Sequence, residues 1–407
     1  QYYPGYSADS TDHEATFLIE TPSSYTDSTA GRTYTRAAFL DSNAWSDTNW
    51  VHYTGQLYPE IRYADLQEAT LYLDYYNVAD IIKIMNNNPD VEVMVRGLIS
   101  EDAELENPNS YRDVVLTTTQ QIGTTSNPFA GTLFGNSEYE VSLVVNNTLF
   151  EATGSGLVLR DLDIAYGEES DISNTNLPKL SGGVIAPSLL EAQIANVTLT
   201  INKTASVEMG SSSDTAGLVA GSITSTSIQG LRIVDNVASS ANLLNVSDSN
   251  TQSTTESDTE NESNTTWSVG LVAGEARQGS SVREMTISQI SISLNSNRLS
   301  SSSNSSYSVI NITGGNPDTL NAGLYFGQAI SEGENLFPFD ITLSGMSAGQ
   351  NPFGDGNNLG FAEIYVGVNA TNVNVGGYIG NVGNITSVSG NFTNRPLNFA
   401  VKFANDM

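Results

Sequence analysis

The pentapeptide Gly-Leu-Val-Ala-Gly stands at Gly217–Gly221 and recurs, letter for letter, at Gly270–Gly274. An apolar run bracketed by glycines, in a chain crowded with Ser, Thr and Asn, asks for a backbone that returns repeatedly to one environment. A second figure follows each copy: apolar residues spaced h-x-x-h-x-h, as Ile228, Leu231 and Ile233, then as Val282, Met285 and Ile287. The same figure follows GGVIAP as Ile194, Val197 and Leu199, and follows TLFEATGSG as Leu159, Leu162 and Ile164. It follows GLYFGQAISEGEN as Leu336, Phe339 and Ile341, and a weakened copy after GGYIGNVGN keeps Ile385 and Val388 with Gly390 in the last place. Four Gly-flanked segments begin at equal intervals, at Gly217, Gly270, Gly323 and Gly376.

Each half of the figure reads as a short strand. A spacing of two puts Leu231 and Ile233 on one face, and the extra residue before them marks a bend or bulge. Glycines at the edges of the first strand permit tight corners and close backbone approach. A third strand completes several repeats, beginning at Ala241, Tyr307 and Phe361. Two or three short strands in fixed order, with loops of variable length, predict a parallel β-helix, because one turn cannot bury its apolar face alone. Leu159, Ile194, Ile228, Val282 and Leu336 are then expected to stack, about 4.8 Å apart. A β-sandwich has no reason to reiterate a two-part figure, and a propeller would carry an aromatic signature in each blade.

Composition narrows the partners. The formal net charge is −30, from 45 Asp and Glu against only 15 Lys and Arg. Nucleic acid and acidic membrane faces are repelled by such a chain, so neither is expected as a partner. No cysteine is present, which excludes disulfides and thiolate metal sites. No run of about 18 apolar residues occurs, so no membrane-inserted helix is expected. The chain opens at Gln1 as a processed or trimmed chain would, and the composition suggests an extracellular or cell-surface location. Asn-x-Ser/Thr triplets fall at Asn146, Asn196, Asn202, Asn245, Asn261, Asn264, Asn304, Asn311, Asn369, Asn384 and Asn391. Each is a candidate glycosylation acceptor, although the abundance of Ser and Thr produces many such triplets by chance.

Chemistry is harder to find. Asp161 and Asp163 flank Leu162 and would share an outward strand face, suited to acid/base work or cation binding; the plainer reading is a solvated face. With Asp355 in GDGNNLG they are weak candidate ligands for Ca2+, but neither stretch has EF-hand or β-roll spacing. No other cofactor is expected. GMSAG (Gly345–Gly349) matches the nucleophile-elbow pattern formally, yet a loop follows it and no His occurs after His52. His13 and His52 both lie in the N-terminal segment, where packing explains a lone His beside Trp50 and Tyr53. The Ser-rich stretches ending at Ser268 and spanning Leu299–Ser308 read as solvated loops.

In its order of motifs the chain resembles bacterial secreted and surface proteins with GLUG-type repeats, related to repeats of large adhesins and IgA-peptidase-like proteins. The resemblance rests on NVADIIKIMNNNPDVEVMVRGLIS (Asn77–Ser100), QIGTTSNPFAGTLFGN (Gln121–Asn136) and the six repeat copies. It implies a right-handed single-stranded parallel β-helix outside the cell, and no shared catalytic residues. The expected organisation is a Tyr-rich N-terminal arm over residues 1–59, an α+β cap over 60–128 with a short helix at Ala79–Met85, and the β-helix over 129–407. The expected function is non-catalytic: a structural or adhesive surface protein, with a self-assembling, pilus- or fibre-like filament subunit as one form of it, and with copies of itself or surface glycans or proteins as partners. The alternative is a β-helix glycan lyase or hydrolase. EATFLIE (Glu14–Glu20) alternates apolar residues with no place in the repeat, so Ala15, Phe17 and Ile19 are candidates for head-to-tail assembly by strand addition.

Overall fold

The computed structural model describes residues 24–27, 32–35, 70–75, 77–99, 111–135, 141–168, 177–210, 214–238, 241–248, 265–279, 285–295, 308–331, 340–348, 361–383, 387–390 and 398–404. These are mainly β, and nearly all strand pairs are parallel. Four parallel sheets dominate. The long sheet holds Val158–Tyr166, Gln193–Ile201, Ser227–Asp235, Ile287–Leu294, Asp340–Ala348 and Ser387–Gly390 in sequence order. The second holds Ala186–Leu190, Ala220–Thr224, Ala273–Gln278, Phe326–Ser331 and Ile379–Gly383. The third runs Ala205–Met209, Leu244–Asp248, Ile310–Thr313, Phe361–Gly367, Asn398–Phe403, and the fourth Thr215–Ala216, Thr266–Gly270, Thr319–Gly323, Asn372–Gly376. From Ala186 onward the chain visits the sheets in one unvarying order: second, long, third, fourth. Each repeat thus has four strands, where the sequence suggested two or three.

The pentapeptide is a corner between two strands, and this corrects its reading as one Gly-edged strand. Gly270 ends a strand of the fourth sheet, Leu271 and Val272 make the turn, and Gly274 lies inside the next strand of the second sheet. Both corner side chains are buried, as are Leu218 and Val219 in the copy before. Corners stack by backbone hydrogen bonds: Leu149 N–H donates to Val184 O, Val184 to Leu218, and Leu218 to Leu271, at 2.7–2.9 Å. The glycines are dictated by space. A Cβ on Gly274 would lie 2.6 Å from Ala216 N and 3.0 Å from Gly221 O; one on Gly380 would lie 2.6 Å from Gly327 O.

The h-x-x-h-x-h figure occupies the long sheet. Leu159 pairs with Ile194, Ile194 with Ile228, Ile228 with Ile287, Ile287 with Ile341 and Ile341 with Val388. The first three members stand as expected. In the fourth place the column takes Ile287, followed by Ile290 and Ile292, and in the fifth Ile341; the expected Val282 and Leu336 lie outside the described residues. The bulge is also present. Asp161, Asn196, Gly230 and Gln289, each just before the second apolar residue, have φ of 52°, 53°, 72° and 57°. Asp, Asn and Gly tolerate this left-handed conformation best, and the ladder skips the residue so that the apolar side chains either side face inward.

One helix, α1 (Val78–Asn87), buries Val78, Ile81, Ile82, Ile84 and Met85, and so extends the expected Ala79–Met85 at both ends. The NNNP turn after it is a hydrogen-bonding device. Asn88 donates through Nδ2 to Ile84 O at 2.9 Å, Asn86 Oδ1 accepts from Gly123 N–H at 2.6 Å, and Asn127 Nδ2 donates to Asn86 O at 2.7 Å. Glu92–Val95 then pairs in parallel with Thr70–Leu73 and Thr132–Phe134, so the long sheet takes strands from both sides of residue 128. Ser24–Asp27 and Arg32–Thr35 form a separate antiparallel pair.

Two substitutions test this account. Ile228→Asp places an uncompensated carboxylate at a position with no solvent exposure and is expected to lower stability by about 4 kcal/mol, read from the urea midpoint. Gly274→Ala, which forces the stacked corners apart, is expected to cost about 2 kcal/mol by the same measurement. A midpoint unchanged in either variant would contradict the inward column or the corner packing.

Candidate functional site

Asp161 and Asp163 do share the solvent side of the long sheet, both exposed. Asp161, however, occupies a left-handed bulge position, and its carboxylate is committed locally: Oδ1 accepts from Asn196 Nδ2 at 3.1 Å, and Oδ2 lies 3.4 Å from Arg160 Nη1. Arg160 itself stacks over the Phe134 ring at 4.1 Å. Asp163 sits in regular ladder between Ser142 and Thr198. Among the described residues no group of three or more His, Asp or Glu side chains converges on a point where a cation would sit. Asp355, His13 and His52 lie outside the described residues.

Gly345–Ala348 of GMSAG lie in the strand Asp340–Ala348, where Ser347 pairs with Ser293 inside the ladder and not at the turn a nucleophile elbow requires. The most organised polar arrangement was not legible in the sequence. Asn374 Nδ2 donates to Asn321 Oδ1 at 2.9 Å, Asn321 Nδ2 to Gln328 Oε1 at 3.1 Å, and Gln328 Nε2 to Glu275 Oε2, whose other oxygen takes the Arg277 guanidinium at 2.6 Å. Donors run one way along this chain of amides and end on a carboxylate. It spans neighbouring strands of the second and fourth sheets, with partners 53 residues apart. Both oxygens of Glu275 are engaged, so the arrangement satisfies buried polar atoms and offers no free base. Only the equal spacing of Asn321 and Asn374 hinted at it.

The Asn-x-Ser/Thr sites divide. Asn146 and Asn202 donate their side-chain amides to the carbonyls of Leu116 and Gly167, at 3.0 and 2.8 Å, and Asn311 donates to Asn245 Oδ1 at 3.0 Å. Asn196 is bound to Asp161. Asn369 is exposed in the turn between the third and fourth sheets. Asn261, Asn264, Asn304, Asn384 and Asn391 lie outside the described residues, as do Ala15, Phe17 and Ile19.

Among the described residues three ionisable groups depart from their ordinary behaviour. Burial pushes the Asp80 carboxyl up, partly opposed by the Lys83 ammonium one turn along α1. Burial also raises the phenols of Tyr166 and Tyr325, the latter raised further by Tyr378. Neither buried hydroxyl has a hydrogen-bond partner among the described residues. Burial is the largest cause in all three, so the shifts reflect packing.

No family model, curated protein or solved structure matches this chain.

Tyr325→Phe removes a desolvated hydroxyl and keeps the ring in place. It is expected to leave stability unchanged or raise it by about 1 kcal/mol in chemical denaturation. A loss of 2 kcal/mol or more would mean that the hydroxyl has a partner. For Asp161, calcium titration of the wild type and of Asp161→Asn should give the same melting temperature in both, since the carboxylate already serves Asn196; a calcium-dependent rise lost in the variant would restore it as a cation ligand.

Proposed function

We propose that the four parallel sheets are the faces of one right-handed, single-stranded β-helix, of the kind implied by the resemblance to GLUG-type repeats. The protein is then a non-catalytic structural or adhesive protein of the cell exterior, able to assemble with copies of itself. The observation that carries this reading is the fixed order in which the chain supplies strands to the second, long, third and fourth sheets, each parallel to the strand one repeat earlier. Such a chain spends its sequence on a continuous stacked core with polar outer positions. Of the two outward aspartates in Val158–Tyr166, Asp161 is tied to Asn196 and lies beside Arg160, an arrangement unlike a paired glycosidase carboxylate. The strong negative charge and lack of cysteine suit a solvated exterior scaffold.

A depolymerisation assay tests this function. Purified protein incubated with uronate-containing and neutral polysaccharides is expected to release no reducing ends or unsaturated sugars above a blank. Turnover abolished by Asp161→Asn or Asp163→Asn would replace the structural reading with a carbohydrate-active one.

A further inference from the structure

An Asn-x-Ser/Thr triplet takes a sugar only when two side chains can leave the protein surface together: the Asn amide and the hydroxyl two residues on. Five of the triplets among the described residues fail that requirement. At Asn146 the amide donates to Leu116 O at 3.0 Å, and the paired Thr148 hydroxyl is buried, donating to Gly183 O at 2.9 Å and accepting from Ser181 N–H at 3.1 Å. At Asn202 the amide donates to Gly167 O at 2.8 Å, and Thr204 Oγ1 donates to Asn242 O at 2.7 Å. Asn196, Asn245 and Asn311 stand in strands that are paired on both sides. Asn196 donates to Asp161 Oδ1 at 3.1 Å, and Asn245 Oδ1 accepts from both Asn242 and Asn311, at 2.9 and 3.0 Å.

Asn369-Ala370-Thr371 differs on each point. It forms the turn between Phe361–Gly367 and Asn372–Gly376, outside any strand. Asn369 and Thr371 are both exposed, and among the described residues neither side chain makes a hydrogen bond. The backbone of the turn is nevertheless held. Asn369 N–H reaches Gly315 O at 3.4 Å, and Asn372 N–H donates to Asp318 O at 2.8 Å. One repeat earlier the corresponding turn contains Gly314 and Gly315, both with positive φ and neither with a side chain to crowd Asn369. An anchored turn thus presents an unengaged amide and an unengaged hydroxyl side by side.

We infer that Asn369 is an acceptor for N-linked glycan, and that Asn146, Asn196, Asn202, Asn245 and Asn311 are structural amides withheld by the fold. The donor is an oligosaccharide carried on a polyprenyl diphosphate. Asn369 Nδ2 attacks the anomeric carbon, and the carbon–oxygen bond to the diphosphate breaks. The diphosphate leaves with the electron pair, and the amide proton passes to an acidic group of the transferase. The Thr371 hydroxyl is the second group the transferase reads. A glycan here stands at the junction of the third and fourth sheets and leaves the long sheet uncovered. The inference deepens the exterior location proposed above and rests on it, since that location brings the chain to a lipid-linked donor.

The test uses the folded full-length protein, a single-subunit oligosaccharyltransferase and its polyprenyl-diphosphate-linked donor. The transferase chosen is one that modifies a synthetic peptide of residues 365–375, so the triplet itself is a competent substrate. Occupancy is read by mass spectrometry of proteolytic peptides. Asn369 is expected to carry the glycan. Occupancy at the other five is expected to be lower by about tenfold or more, because each is reached only through local opening of the fold. Asn369→Gln and Thr371→Ala should each abolish the added mass on that peptide, and Thr371→Ser should retain it, with circular dichroism unchanged in all three. An Asn369 left bare in the folded protein would overturn the inference, and so would equal occupancy at any of the other five. Purified components make the result independent of where the protein resides and of the depolymerisation assay, so the acceptor site and the exterior, non-catalytic reading can fall separately.

Discussion

Close approach of backbone to backbone at the stacked corners is the constraint on which the remaining architecture depends. Leu218–Val219, Leu271–Val272 and Leu324–Tyr325 bury consecutive side chains at a turn, which forces the flanking strands into contact with no room for a Cβ. The glycine columns at Gly217, Gly270, Gly323 and Gly376, and at Gly221, Gly274, Gly327 and Gly380, follow from that geometry. Once corners lie in register, their amide hydrogen bonds fix the parallel alignment of every strand that follows, and parallel alignment places like residue over like. Periodicity in the sequence is therefore a consequence of hydrogen-bond register as much as of the hydrophobic core.

Stacking like over like has a hazard, which the chain meets in two ways. Apolar columns gain from repetition, since each added Leu, Ile or Val removes area from water on both neighbours. A column of like charges would be repelled and desolvated. The polar column that crosses from the fourth to the second sheet is instead built mostly of neutral amides, Asn374, Asn321 and Gln328, ending on Glu275 and closed by Arg277. Amides are both donor and acceptor, so they propagate such a chain, and one carboxylate with one guanidinium ends it without an orphaned charge. In the long sheet, Asp161, Asn196, Gly230 and Gln289 perform a different repeated task, holding a left-handed bulge that keeps inward residues inward.

How much of this was legible in the sequence depended on which physical quantity carried it. Apolar spacing showed the long sheet in Leu159, Ile194 and Ile228, because burial leaves a pattern in residue type. It misplaced the fourth copy, where Val282, Met285 and Ile287 imitate the figure while Ile287, Ile290 and Ile292 form it, and the fifth and sixth, where Ile341 and Val388 stand in the first column and not in the third and second places. Two overlapping matches share Ile287, and only strand pairing distinguishes them. The four-strand count was missed because the fourth sheet's strands are short, down to Thr215–Ala216, and adjoin the corner without a break in the apolar run. Asp161 shows the limit for the site. Its residue type suggested chemistry, but its role followed from a backbone angle and a neighbour 35 residues away.

The same register logic bears on how a stack of parallel strands is bounded. A structure that grows by laying each strand on the one before has no internal reason to stop, and its last strand presents the acceptor pattern that every earlier strand presented. Termination must come from outside the repeat, either from charge placed on the edge or from a segment that occupies it. At the beginning of the chain α1 and its NNNP turn cover part of the first strands with an apolar face and a set of amide hydrogen bonds. At the other end the described strands from Asn372 to Gly383 carry no charge, and Val373, Tyr378 and Val382 remain in solvent. Within the described residues the two ends of the stack therefore differ in chemistry, with apolar packing and amide hydrogen bonds at Val78–Asn87 and uncharged strands from Asn372 to Gly383.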